Sequence, residues 1–583
     1  MLNLQPKGKR TWIGEDLRMN KMKMNAWQAI IEAFKAEGVR YIFGLPGGDT
    51  FYDAIAESPE IQPVLVREES SGVFMAMGYA KITGKPGVCY ASSGPGVANL
   101  VPGLLEAESA CVPVIAIAGA SNAANAGMGA FQETDQMSII RPITKWSERV
   151  TQPERIPWVI RRAFSIALNG KPGPVFIELP KDSAQQEAEI TDYIPAEYPI
   201  RSAGDASRIE AAAELLLKSR KPLLVAGGGA HNSRAFDEVK ELAEMLSSPV
   251  MTTPSGRGII SEAHPLAFGV VGLYFTRVGE QIYGESDLLV TIGSRNEDFQ
   301  SGVQKFFPKE AKYIQIDIDH NEIGRNWIPD VAIVGDAKLV LKDLIESVRN
   351  KLKNRKRNTR RIKKLIQAKE RYESEIKAEC LTDAVPIKTK RVVWELNEVY
   401  GKNTILVNEN GSQDLWSYYC PYYKVLDINS CVAPGEQTCM GFGVAASIGA
   451  KLAMPEKNVV CTTGDGAFQM FMKELATAAQ YKAAVTYIVL NNYSLGWVKY
   501  GQKRRGVPHV GVDFEVQPDF VKIAEANKCY GERVENPDSI KAALQRALEV
   551  TQAGTPAVIE FIVDGWDFAP GFLNFYRRLS EKQ

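Results

Sequence analysis

From Asn25 onward the chain alternates between stretches with apolar residues at helical spacing and short runs that are apolar throughout. In Trp27–Glu37, Ile30, Ile31 and Phe34 recur on one helical face, which predicts an amphipathic helix. Val39–Gly44 is a short apolar run stopped by Leu45-Pro46-Gly47-Gly48, the pattern of a strand entering a turn. Val64–Val66, Val88–Ala91 and Val114–Ile117 predict further strands with helical segments between them. A second cycle opens at Lys221, with strands predicted at Pro222–Ala226, Val250–Thr252, Leu288–Ile292 and Tyr313–Ile318 and a turn at Gly227-Gly228-Gly229. A third runs from about Arg391 to Phe568. Continuous apolar strands alternating with helices predict parallel sheets covered on both faces, so the expected class is α/β with three doubly wound parallel-sheet domains. The expected divisions are an extension over 1–24, domains over 25–190, 205–350 and 389–565, a charged linker over 351–388, and a tail over 566–583.

Composition narrows the function. At 583 residues the chain is too long for one core. Its 69 basic and 69 acidic residues cancel, which leaves no global field to draw it onto nucleic acid or an anionic membrane. Eleven Lys or Arg and one Glu fall between Lys351 and Arg371. With no aromatic residues interleaved among basic ones elsewhere, that run is better read as a solvated linker or helix than as a polyanion patch. Eight scattered cysteines, none paired across two intervening residues, suit a reducing cytoplasm rather than a disulfide framework or zinc site. Apolar runs stop well short of the ~20 residues of a membrane helix. Met1–Lys23 lacks the apolar core of a leader. The expected partner is therefore a small molecule.

The chemistry concentrates near residue 465. Asn458–Thr463 is an apolar strand ending in Gly464-Asp465-Gly466; Phe468, Met472, Leu475 and Ala479 then mark one helical face, and Val485–Leu490 is a strand ending in Asn491-Asn492. A carboxylate and a carboxamide thus sit at the carboxyl ends of two strands, where open α/β sheets form their ligand crevice. Flanking glycines let a phosphate approach the backbone, and the following helix offers unpaired N–H groups. Asp465, Asn492 and a carbonyl from about Ser494, with diphosphate oxygens and water, would suit Mg²⁺.

Gly-Asp-Gly followed after 24 residues by Asn-Asn resembles the cofactor motif of thiamine-diphosphate enzymes. The resemblance extends from Asn25 to about Phe568, in the order pyrimidine-binding, central and diphosphate-binding domain, and is to the acetolactate synthase and pyruvate oxidase group. It rests also on Phe43-Gly44-Leu45-Pro46-Gly47-Gly48, Ser93-Gly94-Pro95-Gly96, Phe131-Gln132-Glu133, Arg141-Pro142-Ile143-Thr144-Lys145 and Ile316-Asp317-Ile318-Asp319. By that resemblance Glu69, nine residues before Gly78-Tyr79-Ala80, is the strand-borne carboxylate that hydrogen-bonds the aminopyrimidine ring and drives activation of the cofactor. Met440 is implied as the wedge between the two rings, and the Thr438 carbonyl as partner of the amino group. Gly44, Gln413, Gly464, Gly466 and Gly496 are implied by the same resemblance as further cofactor contacts. Gln132 would face the reacting substrate. Lys145 and Trp497 are expected near the substrate pocket, as is Gly501, which stands where acetolactate synthases carry a Trp. Active sites shared between chains of a homodimer or homotetramer are also implied.

The sequence departs from the family pattern in places. Glu68 replaces the His that usually precedes the catalytic Glu, and none of the four histidines lies in a matching active-site segment, which leaves proton transfer to the cofactor and water. Glu409 and Gln413 replace an Asp and a His. Arg295, Asp317 and Asp319 resemble a nucleotide site for FAD, ADP or part of coenzyme A in a flavoprotein-like central domain, but Asn296 and Gly272-Leu273-Tyr274-Phe275 differ from the FAD-contacting pattern. The expected activity is that of an acetolactate-synthase-like carboligase acting on a 2-oxo acid such as pyruvate. Gly501, the aromatic stretch Gly565–Phe575 and the weakened flavin pattern keep a 2-hydroxyacyl-CoA lyase or oxalyl-CoA-type decarboxylase open, and a catalytically silent nucleotide-binding regulator is the remote alternative. The tail would be a lid over the site or a segment packed on the surface.

Overall fold

Three parallel sheets of six strands each organise the chain. The first runs, in spatial order, Gln62–Leu65, Tyr41–Gly44, Gly87–Ala91, Val114–Ala120, Val175–Pro180 and Trp146–Arg149. The second runs Ala267–Val270, Val250–Thr252, Pro222–Ala226, Leu288–Ile292, Lys312–Asp317 and Val331–Val334. The third runs Cys431–Val432, Thr404–Asn408, Asn458–Gly464, Val485–Asn491, Ala557–Ile562 and Tyr530–Val534. This computed structural model describes residues 20–195, 198–308, 310–352 and 359–581. Central strands such as Val485–Asn491 are buried at every position, as expected of strands covered on both faces.

The first and third sheets share one strand order, 2-1-3-4-6-5 counted along each domain, whereas the middle sheet has 3-2-1-4-5-6. Each has a switch point beside its first strand, where connections leave in opposite directions and open a crevice at the carboxyl ends. In the third domain that crevice lies between Thr404–Asn408 and Asn458–Gly464; in the middle domain it lies between Pro222–Ala226 and Leu288–Ile292.

The helices that carry or frame site residues are α1 (Glu69–Thr83), α2 (Ile156–Leu168), α3 (Thr359–Cys380), α4 (Phe442–Ala453), α5 (Asp465–Phe471), α6 (Gly496–Arg504) and α7 (Pro570–Glu581). Helix α1 ends at Gly84, whose φ of 73° is the left-handed cap that glycine adopts without strain. It packs on α4 and α5, with the Phe74 ring 5.7 Å from Phe442 and 5.6 Å from Phe471, and so joins the first and third domains in one core.

Several expectations change. Lys21–Met24, assigned to the extension, is a strand paired antiparallel with Ala188–Thr191; residues 1–19 lie outside the described part. The charged linker is largely α3, which packs its Ile362 and Ile376 inward. The single helix expected over Phe468–Ala479 is interrupted after α5 by a tight turn, Met472–Glu474, because Glu474 turns inward to accept the Arg67 N–H at 2.9 Å and the Thr477 hydroxyl at 2.7 Å. The aromatic tail folds as α7 and is anchored to the middle domain: Arg578 pairs with Glu280 at 2.8 Å, and Phe575 packs between Phe299 and Phe306.

Candidate active site

At the switch point of the third sheet the chain leaves two strands as Asn410-Gly411-Ser412-Gln413 and Gly464-Asp465-Gly466, and these segments, with Met440, Asn492 and Ser494–Val498, line one cavity. Asp465 is 1% exposed at the start of α5. Burial pushes its pKa up to about 6 although Gln517 donates to it at 2.8 Å, so the carboxylate is short of compensating charge from protein groups. The neighbouring Asn pair divides its work. Asn491 is fully buried and donates to Glu560 at 2.7 Å, tying strand to strand, while Asn492 lines the cavity and accepts the Ser494 N–H at 3.1 Å.

The glycines separate into two kinds. A Cβ built on Gly464 or Gly411 meets no atom within 4 Å, so these positions face open space. A Cβ on Gly496 would stand 2.8 Å from the Asn492 amide nitrogen, and one on Gly466 2.9 Å from Leu495, so there the protein itself needs the glycine. The cavity's lining holds donor types that suit a hard, oxygen-bound cation with phosphate: the carboxylate of Asp465, the carboxamide of Asn492 and the backbone at Ser494. Among the described residues no cluster of His, Cys, Asp and Glu forms a transition-metal site.

Met440 borders the cavity, half-buried, rather than filling the core. Its turn is held by Glu409, fully buried, which accepts the N–H groups of Gly441 at 3.1 Å and Gly443 at 2.8 Å at the start of α4. Burial nevertheless pushes the Glu409 pKa up to about 8. The Thr438 carbonyl accepts from Asn410 at 3.3 Å, and Thr438 takes a φ of 48°, which turns that carbonyl out of the regular backbone path. Gln413 lines the cavity while its side chain is fixed by the Thr389 hydroxyl at 2.5 Å.

In the first domain Glu69 is 5% exposed and accepts from Asn99 at 2.9 Å. It occupies the first turn of α1, not a strand as expected: the strand stops at Leu65, and Glu68 caps the helix by accepting the Ser71 N–H at 3.1 Å. That cap gives Glu68, the residue replacing His, a structural role. Glu69 faces the Ser93–Gly96 turn, where a Cβ on Gly96 would lie 3.0 Å from its carboxylate. Gly44 is a glycine because a Cβ there would sit 2.5 Å from the Tyr90 carbonyl on the adjacent strand. Gln132, with a φ of 56°, accepts from Ser93 at 3.1 Å.

Comparison with known proteins agrees with this arrangement domain by domain. Residues 24–139 match the N-terminal TPP binding domain of thiamine pyrophosphate enzymes, 209–344 their central domain, and 410–561 their C-terminal TPP binding domain. A probable acetolactate synthase large subunit of Methanocaldococcus jannaschii is 39% identical over 571 residues, covering 94% of this chain and 93% of the relative. Another from Methanococcus aeolicus is 38% identical over 558 residues, covering 93% and 92%. Acetolactate synthase 2, chloroplastic, of Nicotiana tabacum is 36% identical over 542 residues, covering 89% and 80%. The chain belongs to the thiamine-diphosphate enzyme family, in its acetolactate synthase group.

With the family known, the remaining residues fall into place or out of it. Lys145 lies outside the Asp465 cavity: its Nζ caps the end of α2, bonded to the Ile166 carbonyl and, at 3.0 Å, to the Asn169 carbonyl, and burial lowers its pKa to about 8. Trp497 does border the cavity, and its indole is clamped by α7 through Phe572 at 5.0 Å and a 2.8 Å bond to Tyr576. Gly501 lies one turn further along α6, and the nearest group to a Cβ there is the Arg505 guanidinium at 3.3 Å. Arg295, Asp317 and Asp319 come together at the switch point of the middle sheet. Arg295 pairs with Glu297 at 2.7 Å, Asp319 with Lys171 at 2.9 Å, and burial raises the Asp317 pKa to about 6.

Gln517 and Lys171 were not foreseen. Gln517 donates to both Asp465 and Asn491, and Asn410 borders both the cofactor cavity and the groove of the middle domain. Gln517 and Lys171 stand outside a recognisable motif, and only tertiary folding gives them a role.

Proposed function

We propose that this protein decarboxylates a 2-oxo acid such as pyruvate and joins the two-carbon unit to a carbonyl acceptor, as an acetolactate-synthase-like carboligase. The observation that carries this reading is the cavity at the third switch point, in which Asp465, Asn492, two unobstructed glycines and Met440 converge. Thiamine diphosphate, when bound, supplies the electron sink that allows a bond beside a carbonyl to break. Asp465, Asn492 and the Ser494 carbonyl would hold Mg²⁺ against the diphosphate; Gly464, Gly466 and Gly496 would let phosphate oxygens reach the backbone. Met440 and the Thr438 carbonyl, steadied by Glu409 and Asn410, would set the bend of the cofactor. Glu69 would act as the catalytic carboxylate at the pyrimidine ring, and Gln132 would orient substrate. No histidine takes part in this scheme, which leaves proton movements to the cofactor's own amino group and water.

The Asp465 cavity is bordered by residues of the third domain alone, and Glu69 is not among them. Near Glu69, the loop carrying Gln132 leaves Phe131 86% and Met128 77% exposed. Apolar side chains left in water beside an incomplete site support a homodimer or homotetramer in which a partner brings Glu69 to Asp465. Free cysteines throughout and no described helix long and apolar enough to cross a membrane are compatible with a cytoplasmic location. The groove at Arg295, Asp317 and Asp319 supports a nucleotide-binding role for the middle domain. The test is turnover of pyruvate by the protein supplied with thiamine diphosphate and Mg²⁺: formation of acetolactate, lost in Glu69→Gln, supports the reading, and inertness toward all 2-oxo acids opposes it.

A further inference from the structure

Thr438, whose carbonyl is the proposed partner of the cofactor's amino group, holds a φ of 48°. A β-branched residue enters that left-handed region only when its surroundings force it there. Inside the third domain the bend is closed by its own backbone, the Thr438 N–H donating to the Gly435 carbonyl at 3.2 Å, and by Asn410, which donates to the Thr438 carbonyl at 3.3 Å. Neither contact uses the N–H groups on the two sides of the bend, at Gly435 and Cys439.

Those groups are taken by the first domain. Glu106, on the helix Val101–Ser109, accepts the Cys439 N–H at 2.8 Å with one carboxylate oxygen and the Gly435 N–H with the other. One helical turn on, the Ser109 hydroxyl accepts the Gln437 N–H at 3.3 Å. The turn lies close against this helix, where a Cβ on Gly435 would stand 2.7 Å from the Ala110 nitrogen. Glu106 is fully buried. Burial pushes its pKa up, and the N–H groups of Cys439 and Gly435 do more to oppose that than the charge of Lys81. The two oxygens of a carboxylate have a fixed separation, so bridging residues 435 and 439 fixes the span of the turn in which Thr438 bends. On the far side of Met440, Glu409 accepts the Gly441 and Gly443 N–H groups at 3.1 and 2.8 Å. Met440 therefore stands between two buried carboxylates, one from each domain.

We propose that Glu106 is a positioning residue for the reaction: by bridging Gly435 and Cys439 it keeps Thr438 in its left-handed conformation, and so sets the Thr438 carbonyl and the Met440 side chain toward the cofactor rings. The inference rests on the reading of Thr438 and Met440 as cofactor contacts and adds the first-domain group that acts through them. Glu106 is not part of the lining of the Asp465 cavity, which separates it from the diphosphate and metal contacts there. Its influence is on ring geometry, not on anchoring. Glu106→Gln keeps the shape of the side chain but turns an amide N–H toward one of the two backbone N–H groups, so one grip becomes a repulsion.

The test is the rate at which the bound cofactor's C2 proton exchanges with deuterium, read by NMR after acid quenching, with thiamine diphosphate affinity from isothermal titration and apo thermal unfolding measured alongside. Exchange depends on how the aminopyrimidine faces C2 and needs no substrate. Glu106→Gln should slow it at least about tenfold, within what a small misplacement of reacting groups costs, while affinity at fixed Mg²⁺ changes less than about threefold because Asp465 and Asn492 are untouched. Met440→Ala alone should slow exchange about tenfold, yet adding it to Glu106→Gln should slow exchange by less than about threefold more, because residues acting through one turn do not add. Ser109→Ala removes only the longer bond to the Gln437 N–H and should slow exchange by about two- to tenfold, the worth of one ordinary hydrogen bond. Wild-type exchange in folded Glu106→Gln, with a lower melting temperature as the only change, would overturn the inference and leave Glu106 a structural group; so would multiplicative slowing in the double variant. Should Glu106→Gln fail to fold, Ser109→Ala decides, and wild-type exchange there overturns the inference. Wild-type exchange in Met440→Ala would instead remove the wedge reading on which the inference rests.

Discussion

Gly464→Ala separates what the fold requires from what the cofactor requires. Gly464 has φ −78° and ψ 158°, an extended conformation open to any residue, and an added Cβ meets no protein atom within 4 Å. The apo fold should therefore tolerate alanine, or gain the roughly 0.4–1 kcal/mol that follows from a less flexible unfolded chain. A diphosphate approaching this backbone would meet the new methyl group, and overpacking costs about 1–3 kcal/mol, or roughly 5- to 150-fold in affinity. Gly496→Ala is the contrasting variant. Its Cβ would press on the Asn492 amide at 2.8 Å and on Ser412, so it should weaken both folding and cofactor binding. Thermal unfolding of the apo proteins, with titration of thiamine diphosphate at fixed Mg²⁺, distinguishes the two. Unchanged stability with at least fivefold weaker binding in Gly464→Ala is the expected result; wild-type affinity there would refute the placement of the diphosphate against Gly464.

Other outcomes follow from the same geometry. Glu69→Gln should retain cofactor binding, since the diphosphate cavity is built without Glu69, but reduce kcat by at least ~100-fold through loss of acid–base assistance; steady-state kinetics with a binding titration would read both. Arg257 is fully buried and bonds Glu262 in two places, at 2.9 and 2.8 Å, and the Ser417 carbonyl across the domain boundary. Arg257→Met leaves the buried Glu262 carboxylate with only the Val425 N–H at 2.7 Å and no cation, and should cost about 3–5 kcal/mol in urea unfolding. The folded-state pKa of Glu409, raised to about 8, makes its contribution to apo stability fully present below the ordinary glutamate value and lost as pH rises through about 8. Across that window the wild type should lose up to ~1.4 kcal/mol per pH unit for this proton, and Glu409→Gln should remove that part of the slope. A slope identical in both proteins would reassign the proton, and Asp414, also raised by burial and by its nearness to Glu409, is the next group to test.

Much of the site was legible because its chemistry lies at strand ends. Gly464-Asp465-Gly466 and Asn491-Asn492 follow apolar runs long enough to be read as strands, and the switch point between Thr404–Asn408 and Asn458–Gly464 is a consequence of sheet order. What local pattern could not supply was direction and distance. Glu69 was expected on a strand because Val64–Val66 is apolar, yet the pair of acids before Ser70-Ser71 supplies a helix cap, and the helix wins. Lys145 follows a motif that resembles family active sites, but the carbonyls at the end of α2 satisfy its ammonium in this fold. Gln517 reaches Asp465 from fifty-two residues away, a contact that no periodicity encodes. Strands with few apolar residues, such as Trp146–Arg149 and Tyr530–Val534, escaped because neighbours in the sheet, not their own composition, hold them extended.

The central claim is that Asp465, Asn492 and Glu69 serve thiamine-diphosphate chemistry on a 2-oxo acid. Its most direct test is turnover by the purified protein with thiamine diphosphate and Mg²⁺, comparing pyruvate with 2-hydroxyacyl-CoA thioesters and identifying products by mass spectrometry. Acetolactate or another acyloin from pyruvate is the result the account predicts; cleavage of the thioesters with pyruvate inert would contradict it.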